Sequence, residues 1–248
     1  RVRRLPRAPV EPGRRYKYNV PSFLTYQTHL MKSVIDLVSK CDFVISDKGS
    51  VELPWQLKNL RINIGNATYQ MGIGGLHSTE EGACHRYVKG RRKRDIDVAS
   101  YYPSIILNQK LFPEHLGEAF LKVYRKIVER RLRAKHTGDK KTAQTLKIVI
   151  NGSFGKLGSM WSVLYAPQLL IQTTITGQLS LLMLIEAFEL CGIPVISANT
   201  DGIVVDYAVE QEPLVEQIIK WWEGITNFEM ESNFYKALYS ANVNNYVA

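Results

Sequence analysis

The stretch that most constrains the fold lies between Asp95 and Ser104 and reads Asp-Ile-Asp-Val-Ala-Ser-Tyr-Tyr-Pro-Ser. Polar and apolar residues alternate from Asp95 to Ser100, which is typical of a half-buried β-strand, and Pro103 ends the pattern. The sequence therefore predicts a strand that carries Asp97 close to its end.

A second informative segment, from Lys147 to Gly155, reads Lys-Ile-Val-Ile-Asn-Gly-Ser-Phe-Gly and lies in a predicted helix. Helical spacing of i, i+4 and i+7 places Lys147, Asn151 and Phe154 on one face of that helix. Lysine on such a face supplies a mobile point charge for a phosphate group.

A third segment is Asn199-Thr200-Asp201-Gly202, which lies between the strand-like runs 193–198 and 203–207. Two short apolar runs separated by such a polar segment are typical of a β-hairpin. The pattern predicts that Asp201 is exposed at the hairpin tip.

Apolar residues recur at helical spacing from residue 116 to about residue 135, and a second helix is predicted from about residue 140 to residue 154. The connection between them is short, so the two helices should be antiparallel neighbours. A further helix, predicted for residues 167–191, is apolar on most sides and should be buried. A last helix is predicted for residues 213–222.

Taken together, the three segments resemble motifs A, B and C of the family B DNA polymerases, especially the compact phage-type members. Those motifs read D-x-x-S-L-Y-P-S, K-x-x-x-N-S-x-Y-G and D-T-D-S, and they occur here in the same order. The resemblance extends from about Tyr69 to Ala248. It implies an α+β fold, in which a polymerase palm, an antiparallel sheet backed by helices, carries a two-helix antiparallel fingers insertion.

The resemblance also implies a division into four segments. These are a basic N-terminal arm with a partial N-terminal region (1–68), a first part of the palm with motif A (69–114), the fingers helical hairpin with motif B (115–155) and a second part of the palm with motif C (156–248).

The implied activity is template-directed DNA synthesis, in which the 3′-hydroxyl of a primer attacks the α-phosphate of a deoxynucleoside triphosphate. Two metal ions can stabilise both oxygens of such a displacement, and hard oxygen ligands favour Mg²⁺, with Mn²⁺ as a possible substitute. By resemblance, Asp97 and Asp201 are the catalytic and metal-binding residues, and the backbone of Val98 is a further ligand. Asn199 replaces the first Asp of motif C, which removes a negative charge, whereas Gly202 in place of Ser is the milder departure.

Resemblance assigns the remaining site residues to two groups. The residues expected to bind the nucleotide are Ser100, Tyr101, Tyr102, Arg131, Lys147 and Asn151. The residues expected to contact the DNA primer-template are Tyr69, Gly74, Gly75, Phe154, Gly155, Lys236 and Tyr239. An aromatic ring at Tyr102 leaves no room for a 2′-hydroxyl, so deoxynucleotides should be preferred.

The charge of the chain supports a polyanionic partner. The 248 residues contain 32 Lys and Arg against 23 Asp and Glu, a formal net charge of +9. The excess lies in three clusters, residues 1–18, 89–94 and 122–147. Any single cluster is equally well explained as a solvated face, but three clusters beside the motifs favour phosphate neutralisation.

Other features set the expected context. Three cysteines are too few for a disulfide framework, so we expect a reducing compartment, and the resemblance indicates the cytoplasm of a phage-infected or prophage-bearing bacterium. Glu186 ends the longest apolar run, so no membrane partner is expected. A thumb and an exonuclease region are missing from the sequence and would be on another chain or deleted.

Several alternatives stay open. A catalytically weak nucleic-acid-binding polymerase remnant is the main rival, and a two-metal nuclease is disfavoured because motif B would have no role in it. Cys84-His85 indicates ordinary packing more than a zinc site, and Trp221-Trp222 indicates core packing more than base stacking. Asp95 is a possible further member of the site, whereas Asp206 and Glu231 are interpreted as structural.

Overall fold

The computed structural model describes residues 5–248, so the first four residues of the basic arm, Arg1, Val2, Arg3 and Arg4, lie outside the described part. Its helices are α1 (His29–Lys40), α2 (Trp55–Lys58), α3 (Tyr101–Asn108), α4 (Ala119–His136), α5 (Lys140–Gly155), α6 (Pro167–Leu190) and α7 (Glu212–Thr226). Its strands are β1 (Arg15–Tyr16), β2 (Phe43–Val44), β3 (Ile62–Ile64), β4 (Ala67–Met71), β5 (Leu76–Ser78), β6 (Glu81–His85), β7 (Arg91–Val98), β8 (Val195–Asn199), β9 (Gly202–Ala208), β10 (Met230–Tyr235), β11 (Leu238–Asn242) and β12 (Asn245–Val247).

The largest sheet has seven strands in the order β10-β7-β9-β8-β5-β4-β3, and every neighbouring pair is antiparallel. A three-stranded sheet follows the order β12-β11-β6, and β1 pairs with β2. Helices and a large antiparallel sheet in one chain confirm the predicted α+β class. Strand β7 lies between β10 and β9, so its neighbours come from parts of the chain more than a hundred residues away.

The chain divides into two compact units, and the division into four segments stays a prediction. Of the described residues, the first unit contains 5–16, 42–52 and 102–173, and the second contains 17–41, 53–101 and 174–248. The predicted fingers hairpin lies wholly in the first unit. Both large sheets, with Asp97 and Asp201, lie in the second.

In the first unit, helices α4 and α5 form the predicted antiparallel pair. A three-residue connection, residues 137–139, joins them, and the Asp139 side chain caps α5 by accepting from the Thr142 N–H at 3.0 Å. Tyr124 and Val128 of α4 pack with Ile150 of α5 in one buried cluster. The motif B helix is therefore fixed by apolar packing on one side, which leaves its opposite side exposed.

In the second unit, α7 packs on the later part of α6. The Trp222 indole is fully buried and donates to the Ser180 carbonyl at 2.9 Å. Tyr101 and Trp222 both contact the Phe228 ring, with centroids 5.3 and 5.5 Å away. Core packing of Trp222 confirms the sequence interpretation, whereas the neighbouring Trp221 is 44% exposed.

Helix α6 is long and apolar enough, by length and composition alone, to cross a membrane. This finding corrects the expectation that Glu186 rules out such a helix. Within the protein, 94% of its most apolar window is buried, as in the central helix of a folded core.

Glu186 is itself buried, at 3% exposure, and its carboxylate serves a structural purpose. It accepts hydrogen bonds from the backbone N–H groups of Gln27 and Thr28, each at 2.9 Å, and from the Thr28 hydroxyl. Thr28 in turn caps α1 by accepting from the Met31 N–H. The polar interruption of the apolar helix therefore fixes the segment that leads into α1.

Replacing Glu186 with Ala is expected to lower the free energy of unfolding by about 3 kcal/mol, since three part-buried donors lose a charged acceptor. The measurement is the urea midpoint of each protein. The exposed Glu129→Ala on α4 is the control and should change stability by less than about 0.5 kcal/mol. Equal midpoints for the two variants would contradict the role given to Glu186.

Candidate active site

Strand pairing brings motif A and motif C together in the second unit. Asp97 lies opposite Gly202, the first residue of β9. The Val98 N–H donates to the Asp201 carbonyl at 2.8 Å, and on the other side the Ala99 N–H donates to the Glu229 carbonyl at 2.8 Å. Main-chain hydrogen bonds therefore hold Asp97 and Asp201 next to each other at one end of the sheet.

The two motif turns both contain a residue in the left-handed region. Ser100 has φ of 49° between β7 and α3, and Thr200 has φ of 52° at the tip of the β8–β9 hairpin. The Thr200 N–H donates to the Leu76 carbonyl at 2.8 Å, which fixes the tip against β5. A β-branched residue rarely adopts such a φ, and strain of this kind is concentrated at functional sites.

Two glycines are required by close approach at this tip. A Cβ at Gly202 would collide with the carboxylate of Asp97, and a Cβ at Gly75 would lie 3.0 Å from three atoms of Thr200. The glycine at position 202 therefore leaves open the space that the Asp97 carboxylate occupies. Gly75 is buried against the hairpin, whereas Gly74 is exposed.

Two further acidic residues surround Asp97. Glu231 on β10 lies directly opposite it, and Asp95 lies two residues earlier on the same face of β7. Asp95 accepts a hydrogen bond from the Tyr235 hydroxyl. Burial, followed by repulsion from Asp95, Asp201 and Glu231, raises the pKa of Asp97 to about 7. Burial also raises the pKa of Asp95, although the bond from Tyr235 opposes the shift.

The carboxylate pair fits the way that proteins bind Mg²⁺. Within residues 5–248, no group of three or more His, Cys, Asp or Glu side chains is arranged to hold a metal ion. Mg²⁺ is usually bound by one or two carboxylates together with substrate phosphates, so Asp97 and Asp201 have suitable donor chemistry. A cation there would also relieve the repulsion that raises the pKa of Asp97.

The motif B residues lie in the first unit. Lys147 and Asn151 are exposed on α5, and a Cβ at Gly152 or Gly155 would meet no atom within 4 Å. The Phe154 ring stacks on Tyr102, with centroids 4.3 Å apart and planes 23° apart. Arg131 is half-buried on α4.

Two predicted contact residues are corrected by their burial. The Tyr69 side chain is fully buried in β4, so it cannot contact DNA from there. The Tyr101 side chain is 3% exposed and donates to the Gly177 carbonyl at 2.6 Å, so this side chain packs in the core, and only the main chain of Tyr101 could meet a nucleotide. In contrast, Lys236 is exposed, and Tyr239 on β11 is 49% exposed.

The basic cluster at residues 89–94 is also reinterpreted. Arg91 and Lys93 both contact Asp206, at 2.8 and 3.2 Å. Arg92 and Arg94 make ion pairs with acidic residues of α7. These four charges are paired with carboxylates of the same chain, so they give little support to phosphate binding.

Several basic residues of α4, unlike residues 91–94, are not paired with carboxylates among the described residues. Those that are exposed and make no ion pair within residues 5–248 are Lys122, Arg125, Lys126, Arg130 and Arg133. They concentrate positive charge on the helical hairpin. This is the arrangement that polyanion binding requires.

Comparison with known proteins finds similarity among solved structures only. No family model matches the chain, and no curated protein matches it. Among solved structures, the chain is similar to the family B DNA polymerase from the hyperthermophilic archaeon Pyrobaculum calidifontis, with a TM-score of 0.48 and 16% sequence identity. The match covers 73% of this chain and 28% of that polymerase, so the chain corresponds to less than a third of its length.

Proposed function

We propose that this chain is the palm and fingers core of a template-directed DNA polymerase of family B. The observation that carries the proposal is the pairing of Asp97 with Gly202 and of the Val98 N–H with the Asp201 carbonyl. These contacts unite two motifs that lie about a hundred residues apart in the sequence. A nucleotidyl transferase needs such a carboxylate pair.

In this proposal, Asp97 and Asp201 hold two Mg²⁺ ions, with the backbone of Val98 as a further ligand. When bound, the ions would stabilise the attacking 3′-hydroxyl oxygen and the departing pyrophosphate. The protein contributes positioning and electrostatics and forms no covalent intermediate. Because the pKa of Asp97 is about 7, metal binding should improve as the pH rises above neutrality.

The helical hairpin of α4 and α5 would bind the nucleotide. Lys147 is an exposed point charge suited to a triphosphate, and Asn151 lies one turn further along the same face of α5. The unpaired basic residues of α4 would add electrostatic attraction for phosphate groups. The partners proposed are therefore a DNA primer-template and deoxynucleoside triphosphates.

A primer-extension assay with the 248-residue chain tests the proposal. A labelled primer annealed to a longer template is incubated with the four deoxynucleotides, first with Mg²⁺ and then with Mn²⁺. Extension that depends on the template sequence supports the polymerase.

The rival function is a nucleic-acid-binding polymerase remnant, and the observation that favours it is the amide at Asn199 in place of a carboxylate. Retarded migration of the duplex without extension under either metal would favour the remnant and overturn the polymerase.

Substituting Ala for Tyr102 is expected to reduce discrimination against ribonucleotides by about 100-fold, because the ring that excludes the 2′-hydroxyl is removed. The ratio of kcat/KM for a deoxynucleotide and the matching ribonucleotide measures the effect. Tyr102→Phe keeps the ring and its stacking on Phe154, so its ratio should match the wild type. Unchanged discrimination in Tyr102→Ala would show that Tyr102 does not contact the sugar.

A further inference from the structure

The amide of Asn199 is engaged at both of its ends. Its Oδ1 accepts from the Thr200 hydroxyl at 3.1 Å. Its Nδ2 lies 3.3 Å from the Val243 carbonyl and 3.4 Å from Asn244 Oδ1. Both partners of the nitrogen are acceptors, so the side chain at this position must donate.

These contacts join two separate parts of the second unit. Asn199 is the last residue of β8, immediately before the hairpin tip that carries Asp201. Val243 and Asn244 form the turn between β11 and β12. That turn is also ordered internally, because the Asn244 N–H donates to Asn242 Oδ1 at 3.0 Å.

A carboxylate at this position would not reproduce the contacts. An Asp has nearly the same shape as Asn but offers only acceptor oxygens when ionised. One of those oxygens would face the Val243 carbonyl and Asn244 Oδ1 with no hydrogen between them. Removing the donor in this way breaks both contacts and places a negative charge against two acceptor oxygens, one part-buried and one exposed.

We propose that Asn199 is a positioning residue that fixes the β11–β12 turn beside the hairpin tip, and that it does not serve as a metal ligand. Asn199 then replaces the first Asp of motif C because the packing of this chain requires a hydrogen-bond donor at that position. The consequence for DNA synthesis rests on the proposed function, whereas the structural consequence does not.

The structural test is hydrogen exchange of the backbone amides, compared between wild type and Asn199→Asp. Amides of β11 and β12 should exchange roughly tenfold faster in the variant, while amides of α4 and α5 keep their wild-type rates. Asn242→Asp is the matched control. Asn242 uses its side-chain oxygen as an acceptor, which Asp retains, so this variant should leave the exchange rates unchanged.

A second-site variant sharpens the test. Asn244→Lys supplies a cation opposite an introduced Asp, so the double variant Asn199→Asp/Asn244→Lys should recover at least part of the lost protection. If Asn199→Asp fails to fold, Asn199→Ala removes the donor without adding charge and should show a weaker acceleration in the same strands. Wild-type exchange in Asn199→Asp, or equal acceleration in Asn242→Asp, would overturn the proposal.

Primer-extension kinetics of Asn199→Asp distinguish a positioning role of Asn199 from metal binding. Under the proposal, Asn199→Asp raises KM for the primer-template about tenfold, and the Mg²⁺ concentration needed for half-maximal extension stays unchanged. A lower Mg²⁺ requirement with faster extension would make position 199 a metal ligand and overturn the proposal. If the wild type does not extend primers, the proposed polymerase function fails, while the exchange result still decides the role of Asn199.

Discussion

Primer extension should be lost when Asp201 is replaced by Ala, with a decrease in rate of at least about 1,000-fold. The side chain is exposed at the tip of the β8–β9 hairpin, so its main role is not to stabilise the core. Under the proposed function, removing it leaves Asp97 as the only motif carboxylate that holds the metal ions.

The fold should survive this change. The bond that ties Asp201 to motif A comes from the Val98 N–H to its main-chain carbonyl, which an Ala residue retains. Duplex binding and the thermal midpoint should therefore stay near the wild-type values. Asp36→Ala, which removes an exposed carboxylate on α1, is the matched control and should leave extension unchanged.

Comparing extension by Asp201→Ala and Asp36→Ala distinguishes the loss of an active-site residue from a general effect on charge or stability. Extension by Asp201→Ala within tenfold of the wild-type rate would remove Asp201 from the site. Loss of extension in Asp36→Ala as well would mean that the assay reports overall charge or stability.

The local parts of this structure could be predicted from the sequence. The strand before Pro103, the two helices of the hairpin and the turn carrying Asp201 are each encoded by nearby residues, through alternation, helical spacing and turn chemistry. Helix α1 likewise begins directly after Thr28, a residue whose side chain caps it. Helix α3 was not predicted, because Pro103 was interpreted only as the end of the strand, whereas it lies in the first turn of a helix.

The non-local parts of the site could not be predicted. Glu231 was interpreted as structural, and only the pairing of β10 with β7 places it opposite Asp97. A motif also does not show which way a side chain points, so Tyr69 and Tyr101 were assigned to ligands although both are buried. The charges at residues 91–94 were interpreted as favouring phosphate neutralisation because their partners, Asp206 and the acidic residues of α7, lie more than a hundred residues away.

Replacing Asp97 with Asn should make the folded protein more stable at about pH 8 while extension falls by at least about 1,000-fold. The carboxyl has a pKa of about 7 in the folded chain, against 3.8 for an unperturbed Asp. Between these values the folded chain binds more protons than the unfolded chain, so the free energy of unfolding falls as the pH rises. The penalty is small below about pH 4 and complete above about pH 7.

The Asn variant removes this penalty because it has no proton to lose. Allowing for the partial exposure of the carboxylate, the gain should be about 2 kcal/mol at pH 8 and should vanish near pH 4. Urea denaturation of both proteins across this pH range measures it. The difference between the two curves isolates Asp97 from the other groups that titrate over the same range.

Asp206→Asn is the control, and it should change the free energy of unfolding in the opposite direction. Asp206 faces Arg91 and the buried Lys93, on the same face of the sheet as Asp97, and neutralising it leaves those cations without their partner. This variant should be less stable than the wild type at pH 8. If Asp97→Asn were also destabilised there, Asp97 would be a packing residue. Stabilisation confined to Asp97→Asn would mean that the fold holds a carboxylate that is repelled by its neighbours beside Asp201. This repulsion lowers the stability of the fold, and a bound cation would relieve it.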